Sequence, residues 1–371
     1  MQESELPGLI SQVLWASFGL AVIFGAIAQR THFCAMGAVA DIVNIGDWTR
    51  MRMWLLAMAV AMIGFNSMVA LGWVEARNSL YAAPRLVWLS HTVGGLMFGF
   101  GMVLASGCGS KTLVRIGGGN LKSVLVFLTM GIAAYATLRG ITAVARVATV
   151  DTVAVVLPTG QDLPSMLAQA TAVPKATLAL TLGGFIGGAL LLVGLARREG
   201  RSLDALLGGL GIGAVIVGVW WVSGRLGHLN EHPVTLEEVF LATNTQRMES
   251  LTFVAPMAYT VDWLILFSDK SKVLTVGIVT TLGVVIGSAV VALLNRSFRW
   301  EGFGGTEDTA NHIVGAVLMG VGGVTAMGCT SGQGLSGVST LALGSFIALA
   351  GIIAGAVLAL RYQVWRLDRM A

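Results

Sequence analysis

Three cysteines are the residues of this chain best suited to chemistry, and their placement is patterned. The 18-residue phrase HTVGGLMFGFGMVLASGC runs from His91 to Cys108 and returns 221 residues later as HIVGAVLMGVGGVTAMGC, from His312 to Cys329. Half of the aligned positions are identical, including the His, four Gly and the closing Cys. The third cysteine, Cys34, stands in QRTHFCAMG, straight after the first long apolar segment. A thiol is a weak S–H donor and a soft partner for sulfur, and its thiolate is a nucleophile and metal ligand. A lone intramembrane Cys is ordinarily a small packing residue. Packing does not require Cys twice at the same place in a repeat, so Cys108 and Cys329 are assigned a functional role. Spacing alone leaves Cys34 open.

After each repeated phrase the sequence stops looking helical. Cys108 is followed by GSKTLVRIGGG and Cys329 by TSGQGLSG. Gly and Ser runs free backbone N–H groups, and at membrane depth such backbone survives only inside protein or along a cavity. N–H groups at a helix start make an anion site without a full charge. Gly107, Gly109, Ser110, Gly328, Thr330, Gly332 and Gly334 are therefore the expected backbone and hydroxyl contacts. Arg30, Lys111 and Arg115 are better placed as vestibule cations than as midplane ligands, because a charge at a helix centre costs roughly 2.5–3.5 kcal/mol.

Other chemistries fit poorly. There is no Cys-x-x-Cys, which argues against zinc or iron–sulfur. Three cysteines leave one over from any disulfide. Gly117–Gly119 lacks the preceding strand of a phosphate loop. His91 and His312 begin apolar helices as expected interfacial caps, about 25 Å of helix from the Cys of their own copy. No cofactor is implied.

The elements that position these residues are membrane helices. Hydrophobic residues make up 55% of the 371 and charged residues only 11%, with a mean hydropathy of +0.80. A soluble domain carries about 25% charge. Nine spans are expected, at 9–28, 51–73, 88–107, 121–143, 176–196, 205–222, 273–294, 312–328 and 341–360. The fold class is all-α polytopic membrane protein, with short re-entrant helices; the apolar island at 253–267 is one such candidate. MQESELP lacks the basic region of a cleaved signal peptide, so the first span is expected to be retained.

With the N-terminus outside, 14 of the 23 Lys and Arg fall in the shorter set of inner loops, which orients the chain N-out, C-in. The modest net charge of +4 reflects this bias and gives no reason to expect nucleic acid. On this topology the two copies of the phrase cross in opposite directions. The chain is then one integral domain of inverted halves, 9–143 and 205–361, linked by 144–204. Such halves place a transport site where they meet.

These segments resemble the YeeE/YedE family, bacterial membrane proteins that carry thiosulfate and related sulfur species. Gln29-Arg30, Phe33-Cys34, Gly37 and Asp41 are similar to its first motif. Gly99 to Cys108 with Thr112, Arg115, Gly117 and Gly119 is similar to the second, and Gly320 to Leu335 with Cys329 to the third. The resemblance implies an hourglass of inverted repeats in the inner membrane, with a central path in which Cys34, Cys108 and Cys329 pass the anion as S–H donors. It also implies a small cytoplasmic Cys-Pro sulfur carrier; no cysteine here precedes Pro, so that partner would be separate. Two positions depart from the pattern: Lys111 replaces a frequent Gly, and Ala40 precedes Asp41 where Arg is frequent. Sulfite, sulfide or selenium anions are alternative cargo. A membrane-embedded sulfurtransferase working through a cysteine persulfide is the rival from another class; it would need an activated thiol, and no His or Lys lies beside Cys34 or Cys329 at helical spacing.

Overall fold

In the computed structural model, described over residues 3–370, helices account for nearly all regular structure. Met1, Gln2 and Ala371, the outermost residues of the N-terminal segment and the C-terminal tail, lie outside the described residues. The long helices are α1 (Leu6–Thr31), α3 (Thr49–Ala70), α4 (Trp88–Leu104), α6 (Leu121–Arg139), α9 (Lys175–Leu195), α13 (Val276–Leu294), α14 (Thr306–Thr325) and α15 (Leu343–Met370). A further apolar rod, 203–226, is built from α10 (Leu203–Leu206), α11 (Ile212–Trp221) and two wide π turns. Among the described residues, eight segments are long and apolar enough to cross a membrane. The ninth expected span corresponds to α14, whose first turn carries Glu307 and Asp308. Those carboxylates suit the positive end of the helix dipole, worth about 0.3–1 kcal/mol each. The protein is an all-α, multi-pass membrane protein.

The shorter helices α2 (Ala35–Ile45) and α5 (Gly109–Gly117) continue α1 and α4 after sharp breaks. α12 (Val254–Ile265), in the island at 253–267, packs on α6 and α13. α7 (Ile141–Ala148) and α8 (Leu163–Thr171) lie in the segment linking the halves. Two-residue antiparallel ribbons pair β1 (Arg85–Leu86) with β2 (Val155–Val156) and β3 (His228–Leu229) with β4 (Val239–Phe240).

Glycine lets α4 and α14 touch backbone to backbone. A side chain on Gly94 would collide with Gly322 and Ala326, and one on Gly101 with Gly315 and Met319. The reverse also holds, Gly322 against Gly94 and Gly315 against Gly101 and Ala105. Gly94 and Gly101 occupy the same places in the first phrase as Gly315 and Gly322 in the second. The helices run antiparallel, and each phrase presents to the other the surface it receives. Small residues at such a crossing drive association where lipid leaves no hydrophobic difference between bound and free helices.

Polar contacts sort onto two opposite faces. On one, Lys122 pairs with Asp308 at 2.7 Å, Arg366 with Glu307 at 2.8 Å, and the Asn120 amide donates to Glu301 at 2.6 Å. On the other, Arg85 donates to the Asp151 carbonyl at 2.7 Å and Asn78 to Glu238 at 3.1 Å.

Candidate functional site

Each cysteine stands at a helix break built the same way. The preceding helix closes with a residue in the left-handed region two positions before the Cys: His32 at φ 53°, Ser106 at φ 56° and Met327 at φ 60°. The next amide folds back five residues, Phe33 to the Ala28 carbonyl at 3.2 Å, Gly107 to Met102 and Gly328 to Gly323, both at 2.8 Å. This is the Schellman closure, which normally takes Gly at the left-handed position. A non-Gly residue there costs about 1–2 kcal/mol. The next helix then starts at the Cys itself. Its carbonyl accepts the first helical bond, from Ala38 at 3.0 Å, Thr112 at 2.9 Å and Gln333 at 2.7 Å.

The thiols thereby sit over helix N-termini. Gly37 N–H donates to Cys34 Sγ at 3.3 Å, and Gly332 N–H to Cys329 Sγ at 3.4 Å. Cys329 Sγ is also approached by the Phe253 and Ser331 amides, and Thr252 Oγ1 stands 3.9 Å away. Cys108 Sγ lies 3.3 Å from Ser110 Oγ and adjoins both the Cys34 thiol and Thr330. All three cysteines are free and buried. Cys34 thus meets Cys108 directly, and Thr330, the neighbour of Cys329 in sequence, bridges the two repeats.

The supporting residues are placed as follows. Gly332 leaves room for Thr252 and the Tyr81 hydroxyl, and Gly334 lies under the Trp54 ring, which stacks on Phe33 with centroids 5.9 Å apart. Gly109 faces Phe253, and Gly328 faces Gln333. Gly107 lies against the Lys111 side chain, with the Arg115 guanidinium just beyond. Arg115 donates to the Ser106 carbonyl at 2.7 Å, so it clamps the break. Arg30 is not brought to the thiols; half exposed, it lies 3.9 Å from Asp204. Arg50, absent from the expected set, holds Asp41 at 3.2 Å and covers Gly37. Lys111 acts on Cys34 as well as Cys108, a proximity that helical spacing within one segment does not reveal.

Two further residues escaped the sequence argument. His91 is buried rather than interfacial, and its Nδ1 lies 3.1 Å from the Ala326 carbonyl, at the break before Cys329. The Gln333 side-chain amide donates to the same carbonyl. The antiparallel crossing brings the start of α4 to the end of α14, so the His of one copy serves the Cys segment of the other. The buried Trp54 Nε1 and the Ser331 hydroxyl have no hydrogen-bond partner, and the Thr330 hydroxyl has none besides the Cys108 thiol. On the Cys329 side a cavity of about 140 Å³ is lined by Thr252, Tyr259, Met327 and Gly328, with Arg146 also in its wall.

A family model described as "Sulphur transport" matches residues 30–358. The chain is 24% identical over 357 residues to "Thiosulfate transporter TsuA" of Spirochaeta thermophila, covering 92% of this chain and 97% of that one. It is 24% identical over 342 residues to the Escherichia coli protein of the same name, covering 90% of each. It is 32% identical over 113 residues to "Probable transporter YedE" of Salmonella typhimurium, 29% of this chain and 26% of that one. The matched span contains all three cysteine breaks, and the chain belongs to the Sulphur transport family, that of YeeE and YedE.

Proposed function

We propose that this protein carries thiosulfate across the bacterial inner membrane, along a central path through Cys329, Cys108 and Cys34 in that order. The observation that carries this is the contiguity of the three breaks: Cys34 against Cys108, and Cys108 against Thr330, the residue after Cys329. The cavity beside Thr252 and Gly328 forms the outer approach. Lys111 receives the anion on the inner side, ahead of the Arg50 and Arg115 cations. The N-terminus is then periplasmic and the C-terminus cytoplasmic. The reciprocal glycine contacts of α4 and α14 support an inverted pair of halves.

Thiosulfate has one soft terminal sulfur, which a neutral thiol holds weakly, and oxygens that accept from N–H and O–H donors. Weak holding at several sites in succession is what passage requires. The unpartnered Ser331 hydroxyl and the Thr330 hydroxyl at Cys108 supply hard donors beside the soft ones. Full TsuA-length similarity to proteins named thiosulfate transporters supports this cargo over sulfite, sulfide or selenium anions. Competition of radiolabelled thiosulfate uptake by each of those anions is the test. Stronger competition by any of them than by unlabelled thiosulfate contradicts the assignment.

One observation favours a second reading. The Lys111 ammonium beside two adjoining thiols could stabilise a thiolate and so a persulfide, the intermediate of a sulfurtransferase. Intact-protein mass spectrometry after turnover separates the two: transport leaves the mass unchanged, whereas a persulfide adds one sulfur.

A further inference from the structure

On the Cys329 side, Glu249 is a carboxylate without a counter-charge. Its Oε1 is buried and has no hydrogen-bond partner. The peptide around it is fixed: Ser223 Oγ donates to the Glu249 carbonyl at 2.5 Å and accepts from its N–H at 3.2 Å. Three residues on, Thr252 stands 3.9 Å from Cys329 Sγ, and three residues of extended chain span at most about 10 Å.

The groups on which the Glu249 charge acts are two phenols. Tyr81, from the segment after α3, is influenced by both Glu249 and Cys329, and its hydroxyl meets Thr252. Tyr259, from α12, is influenced by Glu249 and lines the cavity beside Gly328. Of the charges on neighbouring elements, Arg146 pairs with Asp151 at 3.4 Å and Lys272 with Asp262 at 2.6 Å; Arg139 acts on Tyr259, and no ion pair joins Arg225 or Arg247 to Glu249 among the described residues. Among the described residues, no charged group acts on Glu249 itself.

We propose that Glu249 is a proton-binding site at the outer approach to Cys329, and that a sulfur dianion reaches Cys329 only while Glu249 carries a proton. The inference rests on the transport function proposed above. Burying a carboxylate away from water and cations disfavours its charged form, and burial pushes the Glu249 carboxyl up to about 8. Below that pH the neutral acid is the stable form. Above it, a fixed negative charge near Cys329 repels the incoming dianion. By reciprocity, an anion at Cys329 strengthens proton binding at Glu249.

The sign follows directly. Uptake by the unaltered protein falls as external pH rises through about 8, and is about tenfold lower at pH 9 than at pH 7, the ratio of protonated fractions. Glu249→Gln keeps size and hydrogen-bonding capacity without the titration, so its uptake changes by less than about twofold over the same range. A second measurement needs no variant uptake: calorimetry of thiosulfate binding to the purified protein in two buffers of different ionisation enthalpy shows proton uptake near pH 8, and none for Glu249→Gln. An alkaline fall of equal size in Glu249→Gln, or equal proton uptake in both proteins, overturns this inference alone. An unaltered protein that takes up no thiosulfate at any pH overturns the transport reading as well.

Discussion

A dianion that must be held briefly and released is poorly served by a fixed cation at every step and well served by neutral donors of matched softness. Cys329 has that character: its sulfur sits among the Gly332, Phe253 and Ser331 amides, with a hydroxyl at 3.9 Å and no ammonium. Cys329→Ser keeps a donor of similar size, so it should retain several-fold more thiosulfate uptake than Cys329→Ala, measured at equal membrane abundance. Equal loss in both would favour persulfide chemistry instead. On the proposed path Lys111 lies at the other end of the series, where a charge-assisted contact of about 1.5–3 kcal/mol would set affinity. Lys111→Met should raise the half-saturating thiosulfate concentration about tenfold, the equivalent of ~1.4 kcal/mol; an unchanged value removes Lys111 from the path. The repeat made Cys108 and Cys329 legible, while Cys34, Lys111 and His91 depend on contacts between segments far apart in sequence. Cys34 meets Cys108 across 74 positions, and His91 meets Ala326 across 235.

At the scale of the element, the recurring device is a helix that ends left-handed and restarts two residues later on a cysteine. Sequence pattern marked Gly and Ser runs after the cysteines as non-helical, whereas α5 is a nine-residue helix through one of them. Tertiary packing overrides the propensity there: Gly117 lies against Ser288 and the backbone of α13, a contact that only a small residue permits. The turn itself was illegible because its usual sign, Gly at positive φ, is replaced by His32, Ser106 and Met327. Ser106→Gly relieves a left-handed side chain and should leave stability equal or slightly raised, while Ser106→Val, β-branched at the same φ, should lower the detergent melting temperature. A Val variant as stable as the Gly variant would show that the turn is not strained. At the crossing of α4 and α14, Gly322→Leu forces a bulky side chain into the Gly94 and Phe98 backbone. Overpacking of this kind typically costs about 1–3 kcal/mol; reduced membrane abundance is the expected readout, and normal abundance with normal uptake contradicts the close approach.

For the whole molecule, hydropathy and length located every long helix, and the Lys and Arg bias chose an orientation. α14 answers to the expected span 312–328; what the sequence did not show is its polar first turn, whose Asp308 and Glu307 pair with Lys122 and Arg366. Cys108 and Cys329 are fully buried, so on the proposed path passage requires the breaks to shift as the anion moves between thiols. Radiolabelled thiosulfate uptake into proteoliposomes, with the unaltered protein and each of Cys34→Ala, Cys108→Ala and Cys329→Ala at matched incorporation, tests the path most directly. Each variant should lose at least about tenfold in rate, ~1.4 kcal/mol in barrier height, while keeping its size-exclusion profile. Uptake at the unaltered rate in any one of them would remove that cysteine from the path and contradict the account of a three-thiol route.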